Sequence, residues 1–316
     1  MRPPRTLRRP RLLPAVAAVL LLATACGTER AGDDTGDGVG AASPAPRTPV
    51  TAPPVDGVRI TAVTIPSATP TPRASDWSVH ADSLPGDSGV SAAYEVTNDT
   101  TGALTYTVLF DFTTSAGEVM GNQRVTVPDV GAGRTVRGTV DLGVLAPGAS
   151  PVTTVKVSRV TKVPAAEAPA GAGVCPASGI RVTADDGDAA MGLRVVGLRL
   201  ENCGEKDYTL DGYPLLTLLD EDRAPVEGVR ILHGGAGITT GTGYDDPPRA
   251  FTLKPGESAV SGLVWRNTTD AGTDPVNVPY VRIRATSGAA PVTLTPHLDL
   301  GTTGRLGVGA WKPAER

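Results

Sequence analysis

The sequence predicts an all-β protein: antiparallel β-sandwich domains carried on a disordered tether. Three observations point there. Apolar and polar residues alternate over several short stretches, the pattern of half-buried strands. The 316 residues include 38 Gly and 29 Pro, which favour turns over long helices. Beyond the N-terminus no segment reads as a helix, and the length fits about two domains.

The first element is an address. Its first eleven residues carry five arginines and no acid. Leu12 to Ala25 is uncharged, as long as a signal core and shorter than the roughly 20 apolar residues a membrane span needs. Small Thr24 and Ala25 before Cys26 resemble the bacterial lipobox, with Ala23 where that motif more often has leucine. The resemblance implies cleavage before Cys26 and its acylation, so that membrane lipid is a partner and the chain sits on the outer face of the cytoplasmic membrane. An ordinary secretory signal would instead leave Cys26 a free thiol. Arg8-Arg9 invites a twin-arginine reading, but Pro10-Arg11 puts a charge where that signal wants an apolar residue.

Removing the five arginines leaves about 24 basic residues of the 29, against 33 acids, a mature formal charge of about −9. That excludes nucleic acid as a partner, because its binders need basic surface to displace counterions from phosphates. With Cys26 assigned to lipid, Cys175 and Cys203 form an even pair suited to a disulfide in an oxidising compartment. Two cysteines cannot make a structural zinc site alone. His80, His233 and His297 lack ligand-like spacing, so neither a metal nor a cofactor is expected.

After the signal (residues 1–25), a Pro/Gly/Ala/Thr-rich tether spans 26–75. Within it Val58-Arg-Ile-Thr-Ala-Val-Thr-Ile65 has strand-like content and could be an extra edge strand of the first sandwich, which occupies 76–163. The clearest strand of that domain is Leu104 to Phe112, where Leu104, Tyr106, Val108, Phe110 and Phe112 share a face; Val90, Ala92, Tyr94 and Val96 do the same, and Val136, Val140 and Leu142 continue the scheme. The order Tyr94-Glu-Val-Thr-Asn98, aromatic strand, then Gly117-Glu-Val-Met-Gly121 resembles the small extracytoplasmic FxLYD-type domains, which implies an immunoglobulin-like sandwich.

A linker at 164–173 leads to the second sandwich, 174–316. Strands are expected at Ile180–Ala184, Leu193–Glu201, Tyr213–Leu219, Val226–Leu232, Phe251–Leu253, Ala259–Arg266, Pro279–Ala285 and Val292–Thr295. Asp188-Ala-Ala-Met-Gly192, Leu200-Glu-Asn-Cys-Gly204, Leu210-Asp-Gly-Tyr-Pro214 and Trp265-Arg-Asn267 resemble the DUF4232 family of actinobacterial exported proteins. The resemblance implies a second immunoglobulin-like sandwich and no activity. One departure is that Tyr208-Thr209 stands where relatives commonly place a cysteine, so the disulfide register can differ from theirs.

Four motifs invite chemistry. Gly86-Asp-Ser-Gly89 copies the core of a serine-protease nucleophile motif, yet lacks a partner histidine segment and reads as a polar turn. Asp185-Asp-Gly-Asp188 lacks the alternating ligands and distal glutamate of a calcium loop and reads as a solvated turn. Arg282 and Arg284 share a strand face and could pair an anionic ligand or stand in solvent. The loop 233–246 is long and glycine-rich, and functional residues concentrate on such loops; His233, Tyr244, Asp245 and Asp246 are its candidate binding residues, against the alternative of a mobile connection. A glycan platform would need exposed tryptophans; Trp265 sits in an apolar strand, leaving Trp77 and Trp311. The expectation is a non-enzymatic, lipid-anchored binding or interaction module for an envelope protein or cell-wall partner. The alternatives are a hydrolase-like enzyme using the 233–246 loop and a structural spacer.

Overall fold

Alternating sequence becomes two sheets in the N-terminal module. The structure, a computed structural model, describes residues 46–66, 87–146, 148–272 and 274–315. The expected signal segment, Cys26, Trp77, His80 and Gly86 lie outside these residues, as does most of the expected tether. Strands β1 (Arg47–Pro49), β2 (Val58–Thr64), β3 (Ser91–Thr97), β4 (Leu104–Thr113), β5 (Val119–Val130), β6 (Thr135–Asp141) and β7 (Thr154–Pro164) pair in the orders β1-β2-β3-β6 and β5-β4-β7. Leu104, Tyr106, Val108, Phe110 and Phe112 all turn inward and share one core with Ala92, Tyr94 and Val96. Full burial of each such large side chain contributes about 1.5–3 kcal/mol.

Two departures from the expected pattern have local causes. Val58–Thr64 is an interior strand, paired with β3 on one side and β1 on the other. A bulge between Ile60 and Ala62 shifts its phase, so Val58, Ile60 and then Val63 face the core. Residues 47–49 and 58–64 of the expected tether therefore belong to the sheet. Val136 is 37% exposed, unlike Val140 and Leu142; it lies at the start of β6, the edge strand of its sheet.

The described residues of the C-terminal module form fourteen short strands. They are β8 (Ile180–Ala184), β9 (Asp188–Ala190), β10 (Leu193–Asn202), β11 (Tyr208–Leu210), β12 (Leu215–Leu219), β13 (Arg230–His233), β14 (Phe251–Leu253), β15 (Ser258–Arg266), β16 (Val276–Val278), β17 (Tyr280–Arg284), β18 (Val292–Leu294), β19 (Leu298–Gly301), β20 (Arg305–Val308) and β21 (Lys312–Pro313). The main sheet runs β13-β20-β15-β10-β8, with β9 on β10 and β21 on β15; a second runs β12-β17-β18, and β11-β14 and β16-β19 form separate pairs. All pairings are antiparallel except β13 with β20. Leu198, Leu200, Leu263, Trp265, Ile283, Leu298, Leu306 and Trp311 lie in the common core. The expected strand Val226–Leu232 shortens to Arg230–His233, because Gly228 at φ 80° leaves the extended conformation. Cys175 and Cys203 are bonded across 28 residues, a closure that stabilises by roughly 3–4 kcal/mol in the chain-entropy picture.

One device recurs in both modules. The Asn98 side chain, fully buried, donates to the carbonyls of Gly102 (2.8 Å) and Val130 (2.7 Å) and accepts from the Thr100 amide (3.0 Å). Asn202 donates to Lys206 (2.8 Å) and Leu253 (3.0 Å) and accepts from the Gly204 amide (3.2 Å). Each ties the loop after its strand to a distant strand, satisfying carbonyls that burial would otherwise strand.

Both modules lie in one compact unit, Ala45–Arg316. The expected linker 164–173 is fastened at its start. A single 3-10 turn, Ala165–Glu167, presents Glu167, whose carboxylate accepts from the Arg282 guanidinium and from the Thr293 hydroxyl (2.8 Å).

Candidate functional site

The glycine-rich loop is held against the outer face of the main sheet. Gly197 and Gly262 stand opposite each other on β10 and β15, and a side chain at Gly262 would collide with the Tyr244 ring. Gly309 has the same ring 3.0 Å from where its Cβ would stand, and a Cβ on Gly307 would lie 2.8 Å from the Gly234 carbonyl. The bare backbone at Gly262, Gly307 and Gly309 is thus the bed on which the loop rests, whereas a side chain at Gly197 would meet Asp185.

The four candidate residues are held by separate contacts. His233 stacks on Tyr213, with ring centroids 4.1 Å apart. Tyr244 covers the glycines, and burial followed by the nearby Asp185 carboxylate pushes its phenol pKa up. Asp246 pairs with Lys312 (3.3 Å), which also donates to the Gly243 carbonyl (2.9 Å). Asp245 stays close to the loop's other end, with its Oδ1 3.3 Å from where a Gly234 Cβ would stand. The loop's ends therefore meet, but His233 and Tyr244 occupy different packing sites. Beside Tyr244 lies a groove of about 300 Å³, lined also by Thr183, Asp185, Arg199 and Ser261.

The other motifs resolve locally. Asp185 accepts from the amides of Gly187 (3.0 Å) and Gly197 (2.8 Å), which is turn chemistry. Among the described residues no three His, Cys, Asp or Glu side chains are grouped to hold a metal. Of the Gly-Asp-Ser-Gly stretch, Asp87 and Ser88 accept from the Gly89 and Val90 amides. Arg282 is taken by Glu167, and Arg284 donates to the Ala289 carbonyl (2.8 Å), so this strand face does not present a free pair. Trp311 is only 2% exposed and donates to the Ala285 carbonyl (3.1 Å). It is a core residue and offers no glycan surface, and Trp265 is buried as expected.

The family-like motifs also carry architecture. The Trp265 indole (2.8 Å) and the Asn267 amide (2.9 Å) donate to the two oxygens of Asp299, with Arg194 3.6 Å away. Gly212, at φ 84°, offers its carbonyl to the Trp311 amide (2.9 Å).

Sequence reasoning missed a cleft of about 700 Å³ between the modules. Asp56 and Ser158 to Lys162 line it from one side, and Glu221 to Arg223, Tyr280 and His297 from the other. Lys162 pairs with Asp56 (3.2 Å) and stands 5.9 Å over the Tyr106 ring. Burial pushes the Tyr280 phenol pKa up, with the Lys162 backbone pulling the other way. The His297 pKa is lowered by desolvation first, then by the Arg159 and Arg124 guanidiniums. The sequence carried one faint signal, an isolated histidine in a loop; the partners come from another module.

No curated protein matches the chain. The model of a family described as Domain of unknown function (DUF4232) matches residues 175–312, from the first disulfide cysteine to the last strand, so the C-terminal module is similar to that family.

Proposed function

We propose that the protein is a lipid-anchored extracytoplasmic binding module that takes its ligand in the cleft between two immunoglobulin-like sandwiches. The observation that carries this is the convergence of polar side chains from both modules on one cleft of about 700 Å³, the size range of ligand sites. The packing of loop 233–246 favours this over a hydrolase site built there. The Cys175–Cys203 bond fits an oxidising compartment and leaves Cys26, of three cysteines, outside the pair. The paired four- and three-stranded sheets of the N-terminal module fit a sandwich of immunoglobulin type.

The test is photo-crosslinking in the native envelope, with the reactive group at Glu221 on the cleft or at Glu118 on the turn between β4 and β5. Capture at 221 and not at 118 is expected, and identical capture at both removes the cleft from the reading. Cys26→Ala is expected to release the protein from the membrane fraction. Persistence of a membrane-bound, lipid-modified protein would overturn the anchor.

A further inference from the structure

The geometry points to a phosphate-class anion as the ligand at the His297 end of the cleft, held by Arg124, Arg159 and His297. This rests on the cleft reading and adds its chemistry. Strand register supplies the first step. Leu109 on β4 pairs with Arg124 on β5 and with Arg159 on β7. Directly paired residues project to the same face of a sheet, so the two arginines flank Leu109 at about 5 Å on either side. Phe110 beside it is fully buried, which sets Leu109 and both arginines on the outer face, away from the core. The ladder shifts register between Leu109 and Phe110, leaving Ser158 as the extra residue on β7. A bulge re-aims its neighbours, and both Ser158 and Arg159 line the cleft.

Charge supplies the second step. The mature chain is acidic, at about −9 formal charge, yet the charges acting on the His297 ring are those of Arg159 and Arg124. Of the cleft's three acids, Asp56 is paired with Lys162, Asp56 and Glu221 act on Tyr280, and Asp222 lines the cleft beside Arg223; none is among the charges acting on His297. The Arg159 side chain makes no hydrogen bond or ion pair with any described residue. Arg124 has only Asp186, 3.8 Å away on a side chain that is 99% exposed. A cationic corner is thus left uncompensated by the fold.

His297 supplies the third step. It is held at φ 50°, a left-handed conformation uncommon outside glycine and often associated with functional placement. Two guanidinium forks and an imidazole together offer more donors than one carboxylate can accept. A phosphate oxyanion, tetrahedral and multiply accepting, fits them better.

The group can come from free phosphate or from a phospholipid headgroup, and the experiment separates them. The full chain carrying Cys26→Ala is titrated with inorganic phosphate while the ring signals of its histidines are followed by NMR, with His297→Gln identifying the residue. In parallel, it is sedimented with phosphatidylcholine vesicles with or without phosphatidylglycerol. Saturable movement of the His297 signal with phosphate assigns free phosphate. Sedimentation only with phosphatidylglycerol assigns the headgroup. In either arm Arg124→Gln and Arg159→Gln should each weaken binding about tenfold, the loss of one charge-assisted contact. Arg137→Gln, on β6 and outside the cleft lining, should leave it unchanged. All three arginines are on the surface, so folding is not at stake, and their thermal midpoints check this. Failure of both arms overturns the proposal, as does equal weakening by Arg137→Gln. Crosslinking at Glu221 that persists without phosphate binding would leave the cleft reading standing and remove only its ligand chemistry.

Discussion

Asn202→Ala tests whether the buried asparagine holds the C-terminal module together. The side chain is 1% exposed and makes three hydrogen bonds, to the carbonyls of Lys206 and Leu253 and from the amide of Gly204. Each contributes about 1 kcal/mol net, and a buried carbonyl left without a partner costs a further 1–3 kcal/mol, roughly. Water can reach the exposed Lys206 end of the loop, whereas Leu253 is buried. The expected loss is therefore about 3 kcal/mol. With a urea slope of about 2 kcal/mol per molar, the midpoint should fall by about 1.5 M. Tryptophan fluorescence is a suitable probe, since Trp265 and Trp311 both sit in this module's core. The slope should not change, because the variant alters one site and not the surface exposed on unfolding. A loss below about 1 kcal/mol would refute the reasoning and mean that the loop finds other partners.

Asn98→Ala should destabilise the N-terminal module by a similar amount, read as faster amide exchange along β3 and β4. Gly262→Ala should cost about 1–3 kcal/mol by urea unfolding, because the new methyl meets the Tyr244 ring; adding Tyr244→Ala should recover part of that loss, and no recovery would mean the ring is not the obstacle. The His297 pKa is lowered in the folded protein, so the unfolded chain takes up its proton first as pH falls below about 7. Stability contributed by the neutral ring is then lost as pH falls through about 6.5 toward the folded pKa. The urea midpoint of wild type should therefore drop more than that of His297→Gln between about pH 7.5 and pH 5.5, and parallel curves would count against it.

Strands with strict alternation were legible from the sequence because period two and burial agree. Leu104 to Phe112 is the clearest case. Arg305–Val308 was not legible, although it lies between β13 and β15 in the main sheet. Gly304, Gly307 and Gly309 weaken its strand signal, and two of them are required by the loop resting above: Gly307 beneath Gly234 and Gly309 beneath Tyr244. The glycines of 233–246 and those of β20 and its flanks are two sides of one contact, and neither side explains itself when read alone. The disulfide was legible only with Cys26 expected to carry lipid, since three cysteines otherwise allow three pairings.

The cleft was illegible for a related reason. Arg124, Arg159 and His297 are separated by more than 100 residues at the extremes, and each alone looks like a solvated charge or a loose loop residue. What joins Arg124 to Arg159 is antiparallel register through Leu109, and what brings them to His297 is docking between modules. Within that docking, Glu167 binds Arg282 and Thr293, whereas the Arg159 side chain has no partner among the described residues. The two basic strand faces thus have opposite fates. Arg282, the residue that looked like an anion site in sequence, is neutralised by the linker, and the uncompensated positive charge appears where the other module closes over β7. Breaking the Glu167 contact should therefore weaken anion binding at a distance from it, through the geometry of the cleft. Glu167→Ala is expected to raise the phosphate concentration for half-saturation while leaving each module's own core intact. Unchanged phosphate binding in that variant would show that the cationic corner forms without the linker's hold.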